Sequence, residues 1–102
     1  MRRATTPTHT FTFPDEVKIT TIVDVEIIYS QNGVTLLNKN LSDLTIDEEN
    51  NSLYFALTQE ETNNFAPGKA LIQLRAKNSN GAVLASQMIW LTVKPVLDSE
   101  EM

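Results

Sequence analysis

Polar and apolar residues alternate along much of this chain, and alternation with a period of two is the pattern of a β-strand with one buried face. Residues 8–13 have the sequence THTFTF, which places Phe11 and Phe13 on the same face. Pro14 ends or bends this strand, because proline has no amide hydrogen to donate to a neighbouring strand. The first predicted strand therefore turns two aromatic side chains towards a core.

The next run, KITTIVDVEIIYSQNG over residues 18–33, is apolar along one parity and mixed along the other. Only the apolar parity fits a buried face. Asn32 and Gly33 both tolerate the positive φ of a tight type I′ turn, so this run and the following VTLLNKNL form a predicted hairpin. The residues expected in the core are Val23, Val25, Ile27 and Tyr29, and those expected in water are Asp24 and Glu26.

A second hairpin is predicted over residues 41–57, LSDLTIDEENNSLYFAL, with the polar turn DEENN at residues 47–51. Three of these five turn residues are carboxylates, which raises the alternative of a cation site. Calcium loops need acids at alternating positions and a glycine at the sharp turn, and this segment has no glycine. A solvated turn is the favoured interpretation.

The segment LTQEETNNFAPG, residues 57–68, contains two adjacent carboxylates beside hydroxyls and amides. Thr58 and Glu61 have the spacing of a capping box, in which each side chain bonds the other residue's backbone amide. Phe65 then anchors one helical turn to the core, and Pro67 and Gly68 end it. Paired catalytic carboxylates sit in a concave site, one often in apolar surroundings, so a helix start is favoured over an active site.

The last third of the chain predicts a hairpin formed by residues 69–78 and 82–95 around a turn at Asn80 and Gly81. The second arm is apolar on both parities near residues 88–93. It is a fully covered strand, a strand with a bulge that swaps its faces, or a surface for a partner, and the pattern does not separate these three. In the first arm the expected core residues are Ala70, Ile72, Leu74 and Ala76.

These strands and polar turns predict an all-β fold, an antiparallel immunoglobulin-like β-sandwich of about seven strands with one short helical turn near residues 58–65. A length of 102 residues suits one domain. The expected organisation is a flexible N-terminal segment at residues 1–7, a single domain at residues 8–97 and an acidic C-terminal tail at residues 98–102.

Charge and composition narrow the expected chemistry. The net charge is −5 and the basic residues are scattered, so nucleic acid is not an expected partner. The absence of cysteine fits a reducing compartment, and the expected site of synthesis is the bacterial cytoplasm without membrane insertion. His9 is the one histidine, and its expected place is on a strand, pointing to solvent. No catalytic, cofactor-binding or metal-binding residue is predicted.

Four stretches carry a resemblance to a known family: ATTPTHTFTFP, IIYSQNGVTLLNK, LTQEETNNFAPGKALIQLRA and ASQMIWLTVKPVL. From about residue 8 to residue 97, the chain resembles small proteins from bacteriophages and prophages of Gram-positive bacteria. Their outline is similar to the N-terminal domains of phage baseplate proteins. The resemblance implies a noncatalytic structural or assembly protein of the virion, associated with the tail or baseplate and acting through self-association or contacts with other phage structural proteins.

The alternative is a small ligand-binding module, for example for cell-wall carbohydrate, in which exposed aromatic rings stack on sugar. Against this alternative, Trp90 has aliphatic neighbours on both sides, which favours a core position. The residues singled out as partner contacts are Met88, Trp90, Tyr29 and Tyr54.

Overall fold

The computed structural model describes residues 1–95. Seven strands and one short α-helix make up its regular structure, together with single 3₁₀ turns at Ile19–Thr21 and Leu41–Asp43. In chain order the elements are β1 (Thr8–Thr12), β2 (Asp24–Gln31), β3 (Val34–Asn40), β4 (Thr45–Asp47), β5 (Ser52–Ala56), α1 (Gln59–Asn63), β6 (Gly68–Lys77) and β7 (Val83–Val93).

The strands form two antiparallel sheets that pack face to face as a sandwich. One sheet has the order β1-β5-β4 and the other the order β3-β2-β6-β7. Every one of these strand pairs is antiparallel, and α1 supplies the short helical turn expected near residues 58–65. The predicted fold class is confirmed.

The strand order matches an immunoglobulin-type sandwich without its first strand. That fold has the orders A-B-E-D and C-F-G, and its variable type adds C′ beside C. Here β1, β5 and β4 stand in the order B-E-D, while β3, β2, β6 and β7 stand in the order C′-C-F-G. No strand among residues 1–95 corresponds to A, so β1 has no strand on its outer side.

The core lies between the sheets and follows the predicted parity along β2 and β6. Val23 is the exception: it precedes β2 and is 55% exposed, although its amide donates to the carbonyl of Lys77. The strand begins one residue later than the alternation suggests, so this position has no facing sheet. The buried apolar residues are Phe11, Phe13, Ile19, Ile22, Val25, Ile27, Tyr29, Leu53, Phe55, Leu57, Phe65, Ala70, Ile72, Leu74, Ala76 and Val93.

Local signals fix the turns that connect the strands. Asn32 and Gly33 have φ values of 54° and 81° and form the two-residue turn between β2 and β3. Thr58 accepts from the amide of Glu61, and the Glu61 carboxylate accepts from the amide of Thr58, so the capping box begins α1 as predicted. Phe65 is buried beyond the end of this helix.

The start of the chain lies beside the end of β7. Arg2 and Lys94 form a parallel bridge. The terminal amine of Met1 donates to the carbonyl of Thr92 at 2.7 Å, and the amide of Arg3 donates to the carbonyl of Lys94 at 3.1 Å. The predicted flexibility of residues 1–7 concerns motion and stays a prediction. The predicted acidic tail, residues 98–102, lies outside the described residues.

Candidate interaction surface

Strand β7 lies at one edge of the four-stranded sheet and pairs with β6 along its length. No charged residue occurs between Lys77 and Lys94, so all eleven residues of β7 are uncharged, and none is proline or glycine. Natural edge strands usually carry such residues, because they keep other chains from pairing with the edge. Within residues 1–95, this long strand has no strand on its other side.

The backbone of β7 shows which groups face away from β6. The carbonyl of Thr92 and both backbone groups of Lys94 bond to Met1 and Arg3, on the side opposite β6. Backbone direction alternates along a strand, and the pairing with β6 is regular from residue 85 to residue 93. The amides and carbonyls of Ser86, Met88 and Trp90 therefore point to the same open side, which we call the β7 edge.

The outer face of β7 carries two large, exposed apolar side chains. The side chains of Met88 and Trp90 are each 66% exposed, and they lie opposite Gln73 and Leu71 of β6. An open hollow of about 440 Å³ borders Trp90 and reaches the β2–β3 turn at Asn32. A second hollow, of about 340 Å³, borders Met88. Two large apolar side chains thus stand on a face that the rest of the sheet leaves open.

The inner face of β7 opens into a groove between the two sheets. This β1–β7 groove has a volume of about 230 Å³, and Ile89, on the inner side of β7, is 38% exposed there. Strand A of an immunoglobulin-type sandwich would stand next to β1, along this side of the molecule. The groove is lined by Thr8, His9, Thr10, Phe11, Ile72, Ile89 and Leu91.

His9 lies at this groove and does not point to solvent. It shares the parity of Phe11, is half-buried, and its Nδ1 is hydrogen-bonded to the hydroxyl of Tyr29. Its ring stacks on Tyr29 at a centroid distance of 5.7 Å and meets Phe55 edge-on at 6.2 Å. Burial lowers the pKa of His9, and the positive charge of the N-terminus lowers it further. The prediction that His9 points to solvent is therefore wrong, and the parity that His9 shares with Phe11 was the sequence signal for the core side.

Behind the groove, Tyr29 joins the two sheets. Burial raises the pKa of its phenol, and the negative charge of Glu61 adds to this effect. Glu61 itself loses solvation by burial, which raises a carboxyl pKa, but its hydrogen bonds with Lys39 and Thr58 outweigh that loss and the pKa is lowered. The Lys39 amine is 2.7 Å from the Glu61 carboxylate and 5.7 Å from the centre of the Phe55 ring. These contacts connect α1 with β3 and β5.

The structure separates the four residues singled out as partner contacts. Met88 and Trp90 stand together on the outer face of β7, whereas Tyr54 lies exposed on β5, in the other sheet. Tyr29 is fully buried and is not a contact residue. The favoured core position of Trp90 is wrong, because its aliphatic neighbours Ile89 and Leu91 belong to the opposite face of the strand. The uncharged run before Lys94 was the sequence signal for this surface.

Three further features bear on the expected chemistry. Among the described residues, no group of three or more histidine, cysteine, aspartate and glutamate side chains is placed to hold a metal ion. In the acidic turn, the Asp47 carboxylate accepts hydrogen bonds from the backbone and side chain of Asn50. Across residues 1–95, the structure has no helix of the length and apolarity that crossing a membrane requires.

Comparison with known proteins gives a likeness in fold. No protein-family model matches the chain, and no curated protein matches it significantly. Among solved structures, the chain is similar to CopC from Methylosinus trichosporium OB3b, with a TM-score of 0.60 and 14% sequence identity. The match covers 95% of this chain and 85% of the CopC chain. At this identity the likeness shows the fold alone.

This comparison overturns the predicted role in a phage particle. The prediction of a tail- or baseplate-associated structural protein is wrong, because the similar solved structure named above is CopC, which is not a virion protein. The carbohydrate-binding alternative is not retained either, because its three stacking residues do not form one platform: Tyr29 is buried, and Trp90 and Tyr54 stand on different sheets.

Proposed function

We propose that this protein is an interaction module that accepts an extended β-strand from another polypeptide along the β7 edge. In this mode of binding, backbone hydrogen bonds supply affinity, and pockets for alternate side chains supply specificity. The observation that carries the proposal is the edge itself: eleven uncharged residues whose backbone groups at Ser86, Met88 and Trp90 face away from the sheet.

The other three edge strands are protected in ways that β7 is not. β4 has three residues and β1 has five, and short edge strands offer few backbone groups. β3 carries Lys39, which points inwards to Glu61, and its pairing with β2 has a bulge next to Tyr29. Inward-pointing charges and bulges both discourage strand addition. Among residues 1–95, β7 is the longest edge strand and has no charged residue, and the one register shift in its pairing with β6 lies before residue 85. Its regular part is therefore the edge that fits a partner.

Both faces of an added strand would find apolar contacts. Its outer side chains would lie beside Met88 and Trp90, and its inner side chains would enter the β1–β7 groove beside Ile89. Burying apolar surface contributes about 25 cal/mol per Å², which adds to the backbone hydrogen bonds. The preferred partner segment is therefore extended and apolar on alternating residues, with little charge.

A synthetic peptide tests this function. Its sequence is that of residues 83–93, flanked by lysines for solubility, and it is titrated into the ¹⁵N-labelled protein. We expect the amide signals of Ser86, Met88 and Trp90 to shift as the peptide binds. Shifts confined to β3 or β4, or no shifts, would contradict the proposal.

Two controls separate strand pairing from apolar adhesion. A peptide of the same sequence with N-methyl groups on alternate amides keeps the side chains but lacks half of its donors, and we expect it not to bind. The variant Met88→Lys places a charge on the exposed face, and we expect weaker binding of the unmodified peptide. Equal binding of both peptides would show that no strand is added.

A further inference from the structure

We propose that the strand added to the β7 edge is β7 of a second copy of this chain, paired antiparallel about a twofold axis at Met88. This inference rests on the proposed function, because it names the partner of the same edge. It predicts a dimer in which two four-stranded sheets join into one continuous eight-stranded sheet.

The N-terminus limits the length of chain that can pair. The amine of Met1 occupies the carbonyl of Thr92, so a second strand pairs along β7 only up to residue 91. The lower limit is residue 85, where the regular part of β7 begins after a register shift in its pairing with β6. In a twofold pair both limits apply to each copy, so residues 85–91 of the two copies face each other. The midpoint of this window is Met88.

The backbone directions fit this register. In an antiparallel pair, two residues that exchange both hydrogen bonds must both point their amides and carbonyls at the other strand. Around Met88 the central pair is Met88 with the second copy's Met88. On either side of it, Ser86 of each copy pairs with Trp90 of the other copy. All three residue types have their backbone groups on the β7 edge, so the register uses every donor and acceptor from Ser86 to Trp90.

The side chains fit the same register. On the outer face, the large ring of Trp90 lies opposite the small side chain of Ser86, and Met88 lies opposite its own copy. On the inner face, Ile89 lies opposite Gln87. No pair brings like charges together, because the strand has none. A self-complementary patch is what a twofold dimer requires.

Single cysteines test the register, since the native chain contains no cysteine. Directly opposed residues of this hydrogen-bonded type have Cα atoms about 5.5 Å apart, within the roughly 4.4–6.8 Å that a disulfide spans. In the proposed dimer the two Ser86 residues are about 13 Å apart along the strands. With diamide as oxidant, we expect Met88→Cys to form a disulfide dimer at least tenfold faster than Ser86→Cys alone.

Three further measurements complete the test. Val34→Cys, 59% exposed on the opposite edge of the same sheet, measures the rate of random collision. A mixture of Ser86→Cys and Trp90→Cys is expected to give the mixed dimer. Sedimentation equilibrium of the native protein is expected to show a dimer. Met88→Lys should weaken the dimerisation affinity at least tenfold, because two lysines would then face each other.

The outcomes separate this inference from the proposed function. If Met88→Cys crosslinks no faster than Val34→Cys and the native chain sediments as a monomer, the homodimer is overturned. The strand-accepting function survives that result if the β7 peptide still shifts the amides of Ser86, Met88 and Trp90. If Ser86→Cys alone crosslinks fastest, the register about Met88 is overturned. If the peptide also leaves the edge unchanged, both proposals fail.

Discussion

Trp90 and Phe65 show how the position of an aromatic residue in the chain decides whether it stabilises the core or lies on the surface. Phe65 is 1% exposed and fills the core, whereas Trp90 is 66% exposed. Trp90 therefore contributes to binding at the β7 edge and little to folding. The same reasoning separates Met88 from Leu91, three residues further along β7, which faces inwards.

Alanine substitutions at these two positions are expected to differ sharply. Phe65→Ala should lower the free energy of unfolding by about 3–5 kcal/mol, because it leaves a cavity in the core. Trp90→Ala should change it by no more than about 0.5 kcal/mol, as for most exposed positions. Urea denaturation at low protein concentration measures both. A loss of several kcal/mol in Trp90→Ala would show that the ring is part of the core.

His9 makes folding depend on pH. Burial lowers its pKa from the ordinary 6.5, so the folded protein favours the neutral imidazole. Above pH 6.5 the imidazole of His9 is largely neutral in both the folded and the unfolded protein, so its protonation takes nothing from the free energy of unfolding. As the pH falls below 6.5, the unfolded chain binds a proton first, so the folded state loses stability.

The variant His9→Gln isolates this effect from the titration of the N-terminus. We expect the urea midpoint of the native protein to fall between pH 7.5 and pH 5.5, and that of His9→Gln to fall less. Parallel curves for the two proteins would show that His9 is equally solvated in both states.

At the scale of the element, Asn51 ties a loop to the β4–β5 hairpin. It has a positive φ of 53°, and its Nδ2 donates to the carbonyls of Phe13, Pro14 and Val17 at 3.2, 3.1 and 2.8 Å. Its Oδ1 accepts from the amide of Ile19 at 2.8 Å. One side chain thus holds the connection from β1 to β2 in place.

Asn51→Ala is expected to lower the free energy of unfolding by about 2 kcal/mol or more, because several partly buried backbone groups lose their hydrogen-bond partner. Asn51→Gly should be less destabilising than Asn51→Ala, since glycine adopts a positive φ without strain. The exposed neighbour Asn50, whose bonds stay within its own turn, provides the control Asn50→Ala. Equal urea midpoints for Asn51→Ala and Asn50→Ala would contradict this role.

The elements themselves were largely predictable because their signals are local. Asn32 and Gly33 specify a turn by their φ preferences, and Thr58 and Glu61 specify a helix start by their spacing. The bonds of Asn51 were not predictable, because its partners lie 32 to 38 residues away. The face of Trp90 was not predictable either, since both parities of that strand are apolar and only the other sheet decides which is buried.

In the molecule as a whole, residues 1–95 contain no strand at the position of strand A, and the two neighbouring strands are therefore edges. β1 and β7 are both edge strands, and the groove between them opens where an immunoglobulin-type sandwich has strand A. Met1 and Arg3 form backbone hydrogen bonds with Thr92 and Lys94, at the end of β7, beyond Ser86, Met88 and Trp90. Which edge stays free depends on pairings such as Thr8 with Ala56, which no local pattern encodes.

Amide hydrogen exchange along β7 shows whether the β7 edge accepts a strand. In the isolated chain the amides of Gln87, Ile89 and Leu91 face β6 and should exchange slowly, whereas those of Ser86, Met88 and Trp90 should exchange fast. When the peptide of residues 83–93 is present, or at high protein concentration if the chain pairs with itself, we expect slow exchange of all six amides. Fast exchange of the amides of Ser86, Met88 and Trp90 under both conditions would show that the β7 edge accepts no strand.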